Sequence, residues 1–194
     1  NIKEIENIAN FDEAQKEVFN NAVNRYLTRI KNNTIKYNSE KRDLGVKPQN
    51  CSYLDSSSLI YNIYNDAFNI QIPSTSTSLL NTKNEKLRVQ NVDNIKNLYM
   101  HNLTMGDIIV YKYSTNEGMK GIVSLYLDDD KILKYNNNGY QILSLGEYKK
   151  EALDRIITDL KIIRPSQGYK LNPQVIDFID TEKINMPKKI TVEI

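Results

Sequence analysis

The run Asp55-Ser56-Ser57-Ser58 opens directly onto an apolar stretch, Leu59-Ile60-Tyr61-Asn62-Ile63-Tyr64. Hydroxyls and a carboxylate in that position admit two kinds of chemistry. Asp55 or Ser56 can cap a helix by accepting its first backbone N–H groups. A hydroxyl on the first turn can instead be a nucleophile, provided that a base takes its proton, because serine is not ionised at neutral pH. Bases are scarce in this chain. His101 is the one histidine and Cys51 the one cysteine, while Lys120 and Lys134 offer a Ser–Lys pairing with Ser56. A single cysteine and a single histidine exclude a disulfide framework, a multi-cysteine zinc site and a two-histidine metal centre. Asp128-Asp129-Asp130 reads as a solvated turn, since a calcium loop alternates its ligands with glycine and ends on a distal glutamate. No cofactor and no metal are expected.

The elements that must position these groups follow from periodicity. Ala14, Val18, Ala22, Tyr26 and Ile30 recur every four residues, with Phe19, Val23 and Leu27 beside them, so residues 10–31 are predicted as an amphipathic helix capped by Asn10 or Asp12. Residues 32–54, with Gly45 and Pro48, read as a long loop. A second helix is predicted over 56–68 and a third over 76–88. From residue 106 the period becomes that of strands: 108–113, 121–127, 131–135, 140–143 and 155–164, with Pro165 as a stop. Helices first and an antiparallel meander second make an α+β domain over residues 1–166, helical over 1–100 and sheet over 101–166. Residues 167–194 form a C-terminal extension that packs on the domain or on a partner.

Charge and hydropathy narrow the partners. The 194 residues carry 26 Lys and Arg against 24 Asp and Glu, with no long single-sign run, so the basic stripe of a nucleic-acid binder is absent. No apolar run approaches the roughly 20 residues of a membrane helix. The chain opens on Asn1, which suggests a trimmed segment with a leader or membrane anchor upstream. Its abundance of Asn, Lys, Ile and Tyr suggests AT-rich coding. The sequons at Asn32, Asn50 and Asn102 arise readily by chance in an Asn-rich chain.

Taken together, the segments resemble the NlpC (p-sixty) family of bacterial cell-wall cysteine peptidases. Asp55-Ser56-Ser57-Ser58, the helix ending Ile63-Tyr64 and the following Pro73-Ser74-Thr75 are similar to that family's nucleophile motif, in which a cysteine stands where this chain has Ser56. Leu103-Thr104-Met105-Gly106-Asp107-Ile108-Ile109-Val110 resembles its Gly-Asp strand, Gly121-Ile122-Val123-Ser124-Leu125-Tyr126-Leu127 its histidine-bearing strand, and Ile162-Ile163-Arg164-Pro165 its closing strand. The matches span about residues 14–166 in the family's order. The resemblance implies a papain-like fold, N-terminal helices packed on an antiparallel sheet of about five to six strands. It also implies cleavage of the γ-D-glutamyl bond to the diamino acid of peptidoglycan stem peptides. Ser56 then marks the nucleophile, Ile122 the histidine position and Lys134 the third polar position, with Tyr37, Asp55, Ser57, Ser74, Thr75 and Gly121 lining the cleft.

The departures matter as much as the matches. A thiolate at a helix N-terminus, an imidazole facing it and backbone N–H donors are the working parts of such a site. Ser56 and Ile122 replace the first two, and losing either part of a catalytic unit typically costs on the order of 10⁶ in kcat. The double loss favours natural degeneration over an engineered Cys-to-Ser change. The expectation is a catalytically impaired domain outside the cytoplasm, at the cell envelope or secreted. It would bind peptidoglycan stem peptides or an envelope protein. An active endopeptidase captured as a mutant at Ser56, and an unrelated α+β binding module, are the alternatives. His101 reads as a surface or loop residue and Cys51 as a structural thiol.

Overall fold

Two N-terminal caps start the helical layer. Asp12 accepts from Gln15 N and Gln15 answers Asp12 N, and this closed box starts α1 (Glu13–Lys31). Asp55 plays the same part for α2 (Ser56–Phe68), with Ser58 as its reciprocal partner. Asn69 in the left-handed region ends α2. The computed structural model describes Ile5, residues 8–165 and residues 168–174.

Between these helices lie two short strands, β1 (Lys36–Tyr37) and β2 (Tyr53–Leu54), paired in parallel, with a 3₁₀ turn at Pro48–Asn50. The predicted loop over 32–54 is therefore pinned. Asp43 accepts from Ser52 N and Tyr53 N, while Asn62 of α2 accepts from Gly45 N and donates to Asp43 O. The third helix, α3 (Ser76–Leu80), is shorter than the predicted 76–88. Thr82 and Asn84 bind the backbone two residues ahead of them and turn the chain. Residues Arg88–Asn91 then form a strand, β3.

The main sheet has six strands in the order β3-β8-β4-β5-β6-β7, every pair antiparallel: β4 (Ile108–Thr115), β5 (Gly118–Tyr126), β6 (Ile132–Asn136), β7 (Gly139–Leu143) and β8 (Ile156–Arg164). A fourth helix, α4 (Leu145–Ala152), lies between β7 and β8. Ser144, with Glu147 three residues on, forms the capping box that starts it. The β5–β6 connection runs through Asp128, Asp129 and Asp130, all at positive φ. Asp130 accepts from Leu145 N, at the start of α4, and donates its own N–H to the Tyr126 hydroxyl. This trio is a turn, and among the described residues no cluster of His, Cys, Asp or Glu could hold a metal.

Alternation along the strands divides the core. Ile108, Val110, Val123, Leu125, Leu133 and Tyr135 face α1 and α2. Ile109, Tyr111, Ile132, Leu160 and Ile162 face the other way, towards Tyr148 of α4 and the 3₁₀ segment Ile95–His101. Phe11, Phe19, Tyr64 and Phe68 interlock in the first layer, with ring centroids 4.9–6.3 Å apart. Buried Arg25 of α1 binds Asp66 of α2, which Lys47 also reaches at 2.9 Å. Of the predicted extension, residues 168–174 lie on the helical layer: Leu171 is buried, its carbonyl accepts from Gln15, and Gln174 N reaches Ala67 O. The rest of it lies outside the described residues. No helix among the described residues is long and apolar enough to cross a membrane.

One ion pair closes the sheet. Asp107, fully buried before β4, receives Arg164 Nε and Nη2 at 2.7 Å each, and its second oxygen also accepts from Thr104 N. Arg164 Nη1 donates to Ile8 O. Burial pushes the Asp107 carboxyl upward, against the pull of Arg164. Replacing Asp107 by Asn would leave a guanidinium buried without its counter-charge, at a cost of about 3–5 kcal/mol. Urea unfolding of Asp107→Asn should show that loss. A change below about 1 kcal/mol would mean that the pair does not hold the sheet.

Candidate functional site

The tip of α2 gathers most of the polar groups singled out in the sequence. Asp55 Oδ1 accepts from Ser58 N at 3.0 Å, Ser58 Oγ at 2.6 Å and Ser57 Oγ at 3.3 Å. Ser57 and Ser58 are buried and Ser56 is half-buried. The Ser56 hydroxyl has no hydrogen-bond partner among the described residues, so it is the one hydroxyl of the trio left for a ligand. It sits at the positive end of a 13-residue helix.

Arg42, which sequence reasoning missed, ties this tip to α3. Its Nη1 donates to Ser74 O and to Ser57 Oγ, the latter at 3.4 Å, and lies 3.6 Å from Asp55 Oδ1. The pinned loop around Asp43 and Gly45 holds Arg42 there. A loop arginine fixed by its neighbours carries no periodic signal. Thr75 caps α3 through Ser78 N, so its hydroxyl is engaged in structure. Ser76, one residue on, meets the sheet at Gly121. A Cβ built on Gly121 would lie 2.1 Å from Ser76 Oγ, so this close approach requires glycine.

Tyr37 and Tyr135 form the aromatic side of the site, edge to face with centroids 5.3 Å apart. Burial raises the Tyr37 phenol above its ordinary value, and the charge of Asp55 adds to the rise. Tyr135, also missed, is buried and its hydroxyl has no hydrogen-bond partner among the described residues. Cys51 is buried nearby, its thiol pushed up to about 12 chiefly by burial. A thiol so held is protonated at neutral pH and inert, in keeping with a structural role.

Ile122 and Lys134 do not face this tip. Ile122 pairs with Tyr111 and packs with it on the opposite face of the sheet. Lys134 also turns to that face, where Nζ binds both carboxylate oxygens of Glu151 on α4, at 2.8 and 3.0 Å. Lys120 shares the parity of Ile122 along β5 and leans towards Glu117 at 3.8 Å. His101 ends the 3₁₀ segment on the same far face. The physical reason is the two-residue period of a strand: a slip of one residue moves every side chain to the other side. The positions that do face α2 are Gly121 and Val123 on β5 and Leu133 and Tyr135 on β6. None of these four can accept a proton from Ser56 at neutral pH.

A hollow lies elsewhere. This cavity of about 680 Å³ is lined by Glu13, Lys16, Glu17, Asp128, Asp129 and Lys131. It reaches Leu127 just past the other end of β5, about 20 Å from Gly121 at the rise of an extended strand, and no Ser, Thr or Cys lines it. No protein-family model matches the chain, and no curated protein matches it. The site's reading therefore rests on its own geometry.

The buried Tyr135 phenol makes a pH test of that geometry. Burial lifts it well above its ordinary 10.0, with Tyr37, Cys51 and Asp55 adding to the rise. Above about pH 10 the unfolded chain loses this proton and the folded chain keeps it. Stability should therefore fall as pH rises, by at most about 1.4 kcal/mol per pH unit from this group. Tyr135→Phe removes that component and also an unpaired hydroxyl. Urea midpoints at pH 7, 10 and 11 should show unchanged or slightly higher stability at pH 7 and a shallower alkaline decline. An unaltered decline would place the phenol in contact with water.

Proposed function

We propose that this chain is a catalytically impaired NlpC-like cell-wall peptidase domain of papain-like fold, acting outside the cytoplasm at the cell envelope, where it binds peptidoglycan stem peptides or a protein partner. One observation carries the reading. Ser56 stands on the first turn of α2, where the resemblance implies a cysteine thiolate, and among the described residues its hydroxyl has no hydrogen-bond partner to serve as a base.

The geometry supports binding in place of turnover. A hydroxyl without a base within about 3.2 Å does not become a nucleophile at neutral pH. The same tip keeps what a bound peptide needs: the unpaired Ser56 hydroxyl, Arg42, and two tyrosine rings at its side. Asp55 stays committed to the cap, which keeps the tip in one shape with or without a ligand.

Calorimetric titration of the chain with purified muropeptides should give binding without cleavage. Ser56→Cys should bind equally well and release no product above background, because the helix end can supply a thiolate but nothing supplies the proton for the leaving amine. Cleavage by Ser56→Cys at enzymic rates would instead establish the γ-D-glutamyl endopeptidase captured in mutant form. Failure to bind any muropeptide or envelope protein would remove the proposal.

A further inference from the structure

β5 has a neighbour along its whole length on one side only. From Thr115↔Gly118 to Ile108↔Leu125 it pairs with β4, but β6 meets it only at Leu125 and Tyr126. Beyond that point β6 continues with β7 alone, through Asn136, and the sheet splits. Among the described residues, therefore, no strand lies beside residues 118–124 of β5 on the β6 side.

The backbone direction along this edge follows from alternation. Tyr126 N donates to Asp107 O and Tyr126 O accepts from Gly106 N, so Tyr126 turns its polar groups towards β4. Ser124, Ile122 and Lys120 do the same, and Val123, Gly121 and Met119 turn theirs to the split. Residues 118–121 are exposed, and no hydrogen bond from the described residues reaches the split side of Met119 or Gly121. Unlike an apolar face, such an edge specifies its occupant: only an extended polypeptide matches donors and acceptors at this repeat. The comparable gap on β8, at residues 156–159, differs in that the chain at 91–96 runs beside it across a second hollow, with Val92 N donating to Leu160 O at its end.

Charge selects the kind of strand. Arg42 spends Nη1 on Ser74 O, and its Nε and Nη2 have no partner among the described residues. Lys112, opposite Gly121 in the β4–β5 ladder and on the same face, has Asp159 as its partner across the β4–β8 ladder and makes no ion pair among the described residues. Asp55 lies 3.6 Å from Arg42 Nη1, and its Oδ1 is committed to the α2 cap. The donors left free at this end of the groove, Arg42 Nε and Nη2 and the Lys112 ammonium, suit a carboxylate.

We propose that the free edge of β5 takes an extended, acidic segment of a partner protein as an added strand, its carboxylate received by Arg42 and Lys112. This deepens the binding function proposed above and rests on it for the position of the groove. It also chooses between the two kinds of ligand named there. A stem peptide carries a γ-linkage and D-residues that break the α-peptide repeat, so it cannot continue a ladder, whereas a protein segment can.

The test is a phage-displayed random dodecapeptide library selected on the whole chain, followed by titration of synthetic copies of the enriched peptides. Enriched peptides should alternate apolar and polar residues around an acidic one. N-methylation of alternate peptide amides should weaken them at least tenfold, an arm that needs no change to the chain. Met119→Pro removes an N–H facing the split and leaves the β4 ladder intact, so it should weaken them by a similar factor with an unchanged circular dichroism spectrum. Arg42→Gln should weaken the acidic peptides and spare their amidated Glu→Gln copies. No enrichment over an unrelated control protein overturns the inference, as do peptides that bind N-methylated copies or Met119→Pro equally well. A dimer in sedimentation that Met119→Pro abolishes would give the edge to a second copy and also overturn it. Muropeptide binding that persists through such a failure leaves the broader function standing, whereas peptide capture without muropeptide binding keeps both and gives the groove to the protein partner.

Discussion

The guanidinium of Arg164 inside the fold is the constraint on which the other parts depend. Arg164 ends β8, Asp107 begins β4, and Ile8 lies ahead of the first helix, so one buried group joins three distant stretches of chain. A charge taken out of water is tolerated only where its hydrogen bonds are met by fixed partners. Meeting them fixes where β4 starts. Gly106, the residue before Asp107, accepts the Tyr64 hydroxyl at 2.6 Å, and so the sheet's start is set against the far half of α2. The position of the α2 tip is thus determined at the opposite end of the helix, by groups remote from that tip.

Much of this was legible in the residues. The caps of α1 and α2, the four-residue spacing of their apolar positions, and the meander from residue 108 onward are local patterns, and each emerged within a few residues of where it was expected. The two missed elements have different causes. α4 announced itself by Ser144 and Glu147, but its eight residues carry too short a periodic stripe to stand out. β3 carried no signal of its own: four residues, Arg-Val-Gln-Asn, are a strand because β8 has an edge to offer them.

The candidate site was legible on its helix and illegible on its sheet. Asp55, Ser56 and Ser57 belong together because they are consecutive at a helix start. Ile122 and Lys134 are expected from the resemblance of their strands, and along a strand a match fixes the facing only if it is right to the residue. Their true neighbours, Tyr111 and Glu151, lie on the face shared with α4. Arg42 and Tyr135 come from a loop and from a strand whose far half has left its neighbour, so neither could be assigned to the tip without the topology.

Gly121 shows how tightly the sheet and α3 are fitted. The strand position that looks at the helical layer is occupied by the one residue without a side chain, and Ser76 fills the space that a side chain would take. An imidazole introduced there would need α3 to withdraw first, and with it the carbonyl of Ser74 that anchors Arg42. Setting a base beside residue 56 is therefore several coordinated changes away, although exchanging one oxygen for sulfur there is a single one. The packing acts as a ratchet: it holds the groove in its present form against any one substitution.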